Sequence, residues 1–113
     1  SQKEKEADKK MLPKKTKANK EVEKIKSKII KVLKKNKVSK AGIFGSYSRG
    51  EQKKDSDIDI AVEINDKDMS LLGFIKLIRL LEELLKRKVD LVEYSAIKQR
   101  IKERILREEI RIL

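Results

Sequence analysis

The sequence predicts an α/β (α+β) protein in which helices cover one face of a small mixed β-sheet. Three observations carry this prediction. Apolar residues recur at helical spacing in 21–36 and 71–86, and short apolar runs suited to strands lie at 41–44, 57–64 and 88–94. The connections between these runs differ in length. A short connection favours an antiparallel strand pair and a long one a parallel pair, so the sheet should contain both.

The first twenty residues predict a flexible basic tail. Residues 1–20 hold eight lysines against three acidic residues and almost nothing apolar. Such a segment cannot bury enough surface to offset the entropy of ordering it. A lysine run of this kind is more often a solvated appendage than a contact for nucleic acid or an acidic partner. Residues 21–113 then remain for one small domain.

The first half of this domain predicts a helix and then an antiparallel strand pair. The helix, which runs to about Asn36, has an apolar stripe formed by Val22, Ile25, Ile29, Val32 and Leu33. The strand that follows ends in a turn at Gly45, and the loop 46–56 leads to the second strand. Eleven residues are fewer than a parallel crossover needs, so the two strands are expected to be antiparallel.

The second half predicts a long helix between two parallel strands. The run 65–70 supplies turn and N-cap residues, and the helix that follows is long enough for a right-handed crossover. Leu72, Leu77, Leu80 and Leu84 widen its apolar face, which predicts either burial on two sides or a partner surface, such as one for self-association. A final amphipathic helix is expected beyond the third strand, with apolar residues at Ile97, Ile101, Ile105, Ile110 and Leu113.

Composition restricts the chemistry that this chain can perform. The 113 residues carry a formal net charge of +12 and include no cysteine and no histidine. Disulfides, Cys/His zinc sites, cysteine nucleophiles and histidine bases are therefore excluded, and carboxylates must do any acid–base or metal chemistry. No apolar run is long enough to span a membrane, and the lysine-rich start lacks the apolar segment of a signal peptide. We expect a cytoplasmic protein.

Two aspartates in the second strand are candidate metal ligands. Asp57 and Asp59 are two residues apart, so both carboxylates point to one face, about 6–7 Å apart along the strand. This separation suits a pair of divalent cations about 3.5–4 Å apart, as used in phosphoryl and nucleotidyl transfer. The pattern alone also fits a solvated strand face. Aspartate is a poor strand former, however, and its repetition on one face adds repulsion that a cation would relieve.

The loop before this pair contains candidate phosphate ligands. A glycine at Gly45 lets backbone N–H groups approach phosphate oxygens, and Ser46 and Arg49 add donors. Ser56, immediately before Asp57, is a further nucleotide-binding candidate. Taken alone, Gly45 and Ser46 could form an ordinary turn and Arg49 could be a surface arginine.

A third acid lies in the segment KVDLVEY. Asp90 could complete a metal site, or it could form an ion pair with Lys88 or Arg87. Glu93 could instead be the functional acid, and strand alternation places it on the face opposite to Asp90. Tyr47 and Tyr94 could stack on a base, but with four aromatic residues in the chain they are expected to fill gaps at the sheet margin.

These motifs resemble the minimal nucleotidyltransferase (MNT) family of the polymerase-beta-like nucleotidyltransferase superfamily. The resemblance rests on GSYSRG, on the ten residues between Gly45-Ser46 and Asp57-Ile58-Asp59, and on the later strand 90–93, and it spans roughly residues 22–113. It implies a nucleotidyltransferase fold. It also implies that Gly45 and Ser46 bind the triphosphate and that Asp57, Asp59 and Asp90 bind Mg2+, and it favours Asp90 over Glu93.

The resemblance also implies an activity and a partner. Stand-alone members of the family are often antitoxins of HEPN-domain ribonuclease toxins, to which they add AMP on a tyrosine hydroxyl. We therefore expect a protein adenylyltransferase that uses ATP and two Mg2+ ions, with Asp90 also able to act as general base.

Two other interpretations stay open. The protein could be a non-catalytic antitoxin or binding module that blocks its partner by occupancy alone. It could also be a basic nucleic-acid-binding domain, whose affinity would fall steeply with salt. The basic residues are mainly lysines spread over several elements, which disfavours the nucleic-acid interpretation. The sequence does not predict the acceptor residue, the number of nucleotides transferred, the base preference or the oligomer size.

Overall fold

The computed structural model describes residues 17–53 and 56–113. Helices and strands alternate along the chain. They are α1 (Lys17–Lys35), β1 (Val38–Phe44), α2 (Ser46–Arg49), β2 (Ile58–Ile64), α3 (Leu71–Leu85), β3 (Val89–Glu93), a 3-10 turn (Tyr94–Ala96), α4 (Gln99–Glu108) and β4 (Ile110–Arg111). Most of the predicted tail, 1–16, lies outside the described residues, whereas its last four residues belong to α1.

The four strands form one mixed sheet in the order β3-β2-β1-β4. β1 and β2 are antiparallel, with Phe44 opposite Asp59. β2 and β3 are parallel, with Asp59 opposite Asp90. The fold class and both predicted strand pairings are therefore confirmed, because connection length constrains strand direction in the way that the sequence suggested.

The main core lies between one face of the sheet and the helices α1 and α3. Ile29 and Leu33 of α1 and Leu81 of α3 are fully buried, as are Ile43 of β1 and Ile60 of β2. The apolar stripe predicted for α1 thus faces the sheet, and α3 packs there through Leu77, Leu81 and Leu85, whereas Leu71 and Ile75 of its predicted stripe are exposed. Since strand side chains alternate, the residues between these core positions project from the other face, where the aspartates lie.

The sequence predicts helices on one face of the sheet. In the structure, α4 and the 3-10 turn also cover part of the other face. Ala61, Tyr94 and Ile105 are buried there and pack with Phe44 and other apolar side chains. The Tyr94 hydroxyl donates a hydrogen bond to the Glu109 carboxylate. Burial and this bond raise the pKa of Tyr94 above its ordinary value. Tyr94 therefore fills the sheet margin as predicted and does not form a base-stacking platform.

The prediction of a final helix through Leu113 is wrong beyond Glu108. Glu109 is extended, and Ile110–Arg111 form β4, which pairs antiparallel with β1. The Ile112 N–H donates to the Ala41 carbonyl at 2.9 Å, and the Ala41 N–H donates to the Leu113 carbonyl at 3.1 Å. The free edge of β1 offers unpaired backbone groups, and these bonds satisfy more of them than a continued helix could.

α3 ends one residue before the predicted boundary and begins at a serine cap. The Gly73 N–H donates to the Ser70 side chain at 3.1 Å. Of the four leucines predicted to widen the apolar face, Leu77 is buried in the main core, whereas Leu72, Leu80 and Leu84 are 61%, 40% and 36% exposed. Burial on two sides is therefore not observed, and self-association stays a prediction. None of the helices in 17–53 and 56–113 has the length and apolarity needed to cross a bilayer.

Candidate active site

Three chain segments meet at one end of the sheet. β1 ends there at Phe44, while β2 and β3 begin there at Ile58 and Val89. This follows from the topology, because β1 is antiparallel to β2 and β3 is parallel to it. The turn after β1 therefore lies near the aspartates at the start of the two other strands.

Asp59 and Asp90 occupy directly opposed positions on neighbouring strands. Adjacent strands in a sheet lie about 4.8 Å apart, and opposed residues share a face. Asp57 immediately precedes β2 and belongs to the same alternation as Asp59. Asp59 is partly buried, whereas Asp57 and Asp90 are exposed. Asp57, Asp59 and Asp90 thus lie together on one face at the end of the sheet, although Asp90 is far from the other two in sequence. A ligand can reach them because Asp57 and Asp90 are exposed.

The electrostatics of Asp59 reflect this clustering. Burial raises the pKa of Asp59, and the negative charges of Asp90 and Asp57 raise it further, while the charge of Arg49 acts in the opposite direction. A carboxylate that is disfavoured both by burial and by like charges is stabilised by a nearby cation. The aspartates therefore form an electrostatically coupled group.

The donor set fits a hard divalent cation such as Mg2+. Within 17–53 and 56–113, no three metal-ligating side chains lie close enough together, as positioned, to form a complete metal centre. The fit rests on chemistry: Asp59 is repelled by the two other carboxylates, and carboxylate oxygens are the protein ligands that Mg2+ prefers. The backbone register places Asp59 opposite Asp90.

Gly45 sits directly against Asp59. Its φ is +72°, a conformation that side chains other than glycine rarely adopt. A Cβ atom at this position would also overlap the Asp59 carboxylate. Glycine is therefore needed twice, to make the turn and to let the backbone approach the acid. This close approach puts the predicted phosphate turn and a predicted metal ligand in contact.

The turn continues as the four-residue helix α2, which the sequence had suggested would be loop. Its backbone is held by hydrogen bonds from Arg49 N–H to the Gly45 carbonyl at 3.2 Å and from Glu51 N–H to the Ser46 carbonyl at 2.8 Å. Tyr47 is buried in the main core and anchors this helix. Ser46 is thereby fixed at the start of α2, beside the strand ends that carry the aspartates.

Arg49 is paired with two glutamates. Its guanidinium lies 3.2 Å from Glu51 and 3.5 Å from Glu108, which belongs to α4. It lines a cleft of about 230 Å³ together with Phe44, Gly45 and apolar side chains of α4. Glu108 was not identified from the sequence, because an i,i+4 partner in the same helix, Arg104, gives it an ordinary surface role.

Ser56 has a local hydrogen-bonding role. Its hydroxyl accepts a hydrogen bond from the Lys53 N–H at 2.7 Å, and its own N–H donates to the Lys53 carbonyl at 3.0 Å. These bonds join Lys53 to Ser56 just before Asp57. The structure thus brings together Gly45, Asp59 and Asp90, while Ser56 supports the loop that leads to Asp57.

The sheet order, the glycine turn and the facing aspartates define a nucleotidyltransferase of mixed α/β fold. A model of the family described as "Polymerase beta, Nucleotidyltransferase" matches residues 27–113. The chain belongs to this family, and the predicted resemblance is confirmed.

One relative and two solved structures are similar to most of this chain. A Methanocaldococcus jannaschii protein, provisionally named a protein adenylyltransferase, is 47% identical over 92 residues, which cover 81% of this chain and 98% of the relative. A crystal structure of a toxin–antitoxin with AMP-PNP has a TM-score of 0.69 and 32% identity and covers 78% of this chain and 72% of that one. A re-refined structure of a tri-AMPylated Shewanella oneidensis HEPN toxin with an MNT antitoxin has a TM-score of 0.63 and 28% identity, covering 80% and 71%.

Proposed function

We propose that this protein is a protein adenylyltransferase that moves AMP from ATP to a tyrosine hydroxyl of a HEPN ribonuclease toxin and thereby acts as its antitoxin. The observation that carries the proposal is that Asp59 lies opposite Asp90 in the sheet and directly against the turn at Gly45. The named activity of the Methanocaldococcus relative and the AMPylated toxin in the Shewanella complex support it. Because the reaction consumes ATP, we assign it to the cytoplasm.

Gly45 and Ser46 bind the phosphates of ATP through the backbone and hydroxyl donors at the start of α2. Asp57, Asp59 and Asp90 would hold Mg2+, with two ions expected from the number of carboxylates. When bound, the metal would offset the charge that grows on the α-phosphate and on the departing pyrophosphate. Arg49 supports the phosphate turn from the side, since its pairing with Glu108 ties α2 to α4.

The transfer itself is an in-line displacement. The acceptor oxygen forms a bond to the α-phosphorus, the bond from that phosphorus to the bridging oxygen breaks, and pyrophosphate leaves. Asp90 accepts the proton of the acceptor hydroxyl as general base. Its exposed side chain at the start of β3 suits this role, because a macromolecular acceptor can reach it from solvent.

Substitution Asp57→Asn tests the enzymatic assignment. Since a neutral amide is a much weaker cation ligand, AMP transfer from labelled ATP to the purified toxin should fall by at least about 100-fold. Thermal unfolding should show a folded variant, because Asp57 is exposed. Asp68→Asn removes the same charge in an exposed turn and serves as the matched control. Full activity of Asp57→Asn would remove the metal assignment.

Coexpression with the toxin separates catalysis from occupancy. If AMP transfer is the antitoxin mechanism, Asp57→Asn should fail to protect cells that express the toxin, although it still folds. Protection by the inactive variant would instead support a binding module that neutralises its partner by occupancy alone.

A further inference from the structure

The short loop between α3 and β3 carries three consecutive cations, Lys86, Arg87 and Lys88. It lies at the same end of the sheet as the aspartates, because β3 begins beside β2. β2 is the middle strand of the three, with β1 on one side and β3 on the other. The cationic loop therefore flanks Asp57 on the side opposite to the turn at Gly45.

The backbone of this loop is fixed by hydrogen bonds at both ends. Lys86 adopts a left-handed conformation with φ +55°, and its N–H donates to the Glu82 carbonyl at 2.7 Å. The Glu82 carboxylate accepts the Val89 N–H at 3.1 Å. The Ile58 N–H donates to the Lys88 carbonyl at 2.9 Å and so ties the loop to the start of β2. The cations are thus presented from a pre-ordered segment.

The charges of this loop are not used by ion pairs within the described ranges. Four carboxylates there pair with other cations, and two of them, Glu51 and Glu108, contact the Arg49 guanidinium. Arg49 is therefore a poor sole source of positive charge for a triphosphate. Lys86, Arg87 and Lys88 are the cations that share a cavity with Asp57.

The space beside the loop suits a phosphate chain. A cavity of about 370 Å³ is lined by Asp57 and the three loop cations. A second cavity of about 230 Å³ shares Lys86 and Arg87 and adds Lys24 and Lys28 of α1. The first cavity thus places three cations beside Asp57, whereas the second also contains Glu21 and apolar side chains of the main core. A phosphate chain in the first cavity would therefore meet the positive charge of Lys86, Arg87 and Lys88.

We propose that Lys86, Arg87 and Lys88 bind the terminal phosphates of the nucleotide and the pyrophosphate that leaves. This inference rests on the proposed function, since it extends the triphosphate site from the Gly45 turn to the other side of Asp57. Gly45 and Ser46 supply neutral donors on the β1 side of the aspartates, and the loop supplies charge on the β3 side. Arginine and lysine form charge-assisted hydrogen bonds with phosphate oxygens, which strengthen as negative charge develops on the leaving group.

Calorimetric titration of the full chain with inorganic pyrophosphate, ATP and AMP in one magnesium-containing buffer tests the proposal. The loop variant is K86Q/R87Q/K88Q. The control, K31Q/K34Q/K35Q, removes the same number of charges from exposed positions of α1 that line neither cavity. The loop variant should lose about tenfold or more in affinity for pyrophosphate and ATP, with AMP affinity within about twofold of wild type. The control should bind all three like wild type.

The outcomes distinguish this inference from the proposed function. Normal pyrophosphate binding by a folded loop variant, or an equal loss in both triple variants, overturns the loop assignment while leaving AMP transfer by the wild type intact. A wild-type protein that binds no ATP overturns both. Thermal unfolding of each variant verifies the fold, and the single variant R87Q, with a smaller loss in the same direction, replaces the triple variant if the latter does not fold.

Discussion

At Asp59 a half-buried carboxylate faces two other aspartates and lies against the Gly45 backbone. Burial and these charges raise its pKa, so the folded state binds this proton more tightly than the unfolded state does. Protonated Asp59 therefore stabilises the folded state fully below about pH 4, the ordinary pKa range of aspartate. This stabilisation is lost as the pH rises through the higher pKa of the folded state. At neutral pH the charged carboxylate of Asp59 therefore lowers the stability of the folded state when no cation is bound.

Substitution Asp59→Asn should consequently stabilise the metal-free protein at neutral pH. We expect the Tm in EDTA to rise by about 3 °C at pH 7, because the amide removes the repulsion, and the gain to shrink toward pH 4. Calorimetry across this pH range measures the effect. Asp68→Asn, in an exposed turn, should leave the Tm almost unchanged. A lower Tm for Asp59→Asn in EDTA would contradict this account of the electrostatics.

At the scale of single elements, α3 is the helix that the sequence defines best. Its cap, Ser70, and its apolar spacing are local signals, and the observed bounds follow them. α4 shows the opposite case: the helical spacing of isoleucines continues to Ile110, yet the helix ends at Glu108. There the backbone hydrogen bonds offered by the edge of β1 outweigh the local pattern.

Removal of the α3 cap by Ser70→Ala should cost about 1 kcal/mol of unfolding free energy. The Gly73 N–H then loses its side-chain acceptor. For a domain of this size the Tm should fall by about 5 °C. Ser27→Ala makes the same change inside α1, where alanine is the better helix former, and should leave stability unchanged or slightly higher. Equal losses in both variants would show that the cap has no special role.

At the scale of the whole molecule, a ligand that binds where β1 ends and β2 and β3 begin should raise the free energy of unfolding of the whole domain. A site assembled from the ends of β1, β2 and β3 exists only in the folded state. A ligand that binds this site raises stability by mass action, by about 2.7 kcal/mol at one hundred times its dissociation constant. Catalysis and folding thus depend on the same strand pairings.

ATP with magnesium at that saturation should raise the Tm by about 10 °C. Addition of EDTA should abolish most of the rise, because the aspartates then repel the triphosphate. Thermal unfolding of the wild type, with and without chelator, measures this. Asp57→Asn should show a smaller rise than Asp68→Asn. A rise that survives EDTA unchanged would mean that ATP binds away from the aspartates.

The sequence by itself determined the two long helices, the directions of the first three strands and the side chains that share a strand face. Periodicity along the chain fixes which side chains share a face, and connection length constrains direction, so Asp57 and Asp59 could be assigned to one face and Gly45 to a turn. These signals are local. The roles assigned to the individual site residues stay predictions.

Only the tertiary structure decided which distant groups meet. The register that sets Asp90 opposite Asp59, the pairing of Arg49 with Glu108 and the placement of the cationic loop beside Asp57 depend on contacts between segments far apart in the chain. Likewise, β4 forms because β1 presents an open edge. The physical reason is that backbone and charge partners are chosen among all groups that the fold brings within reach, and sequence spacing does not contain that choice.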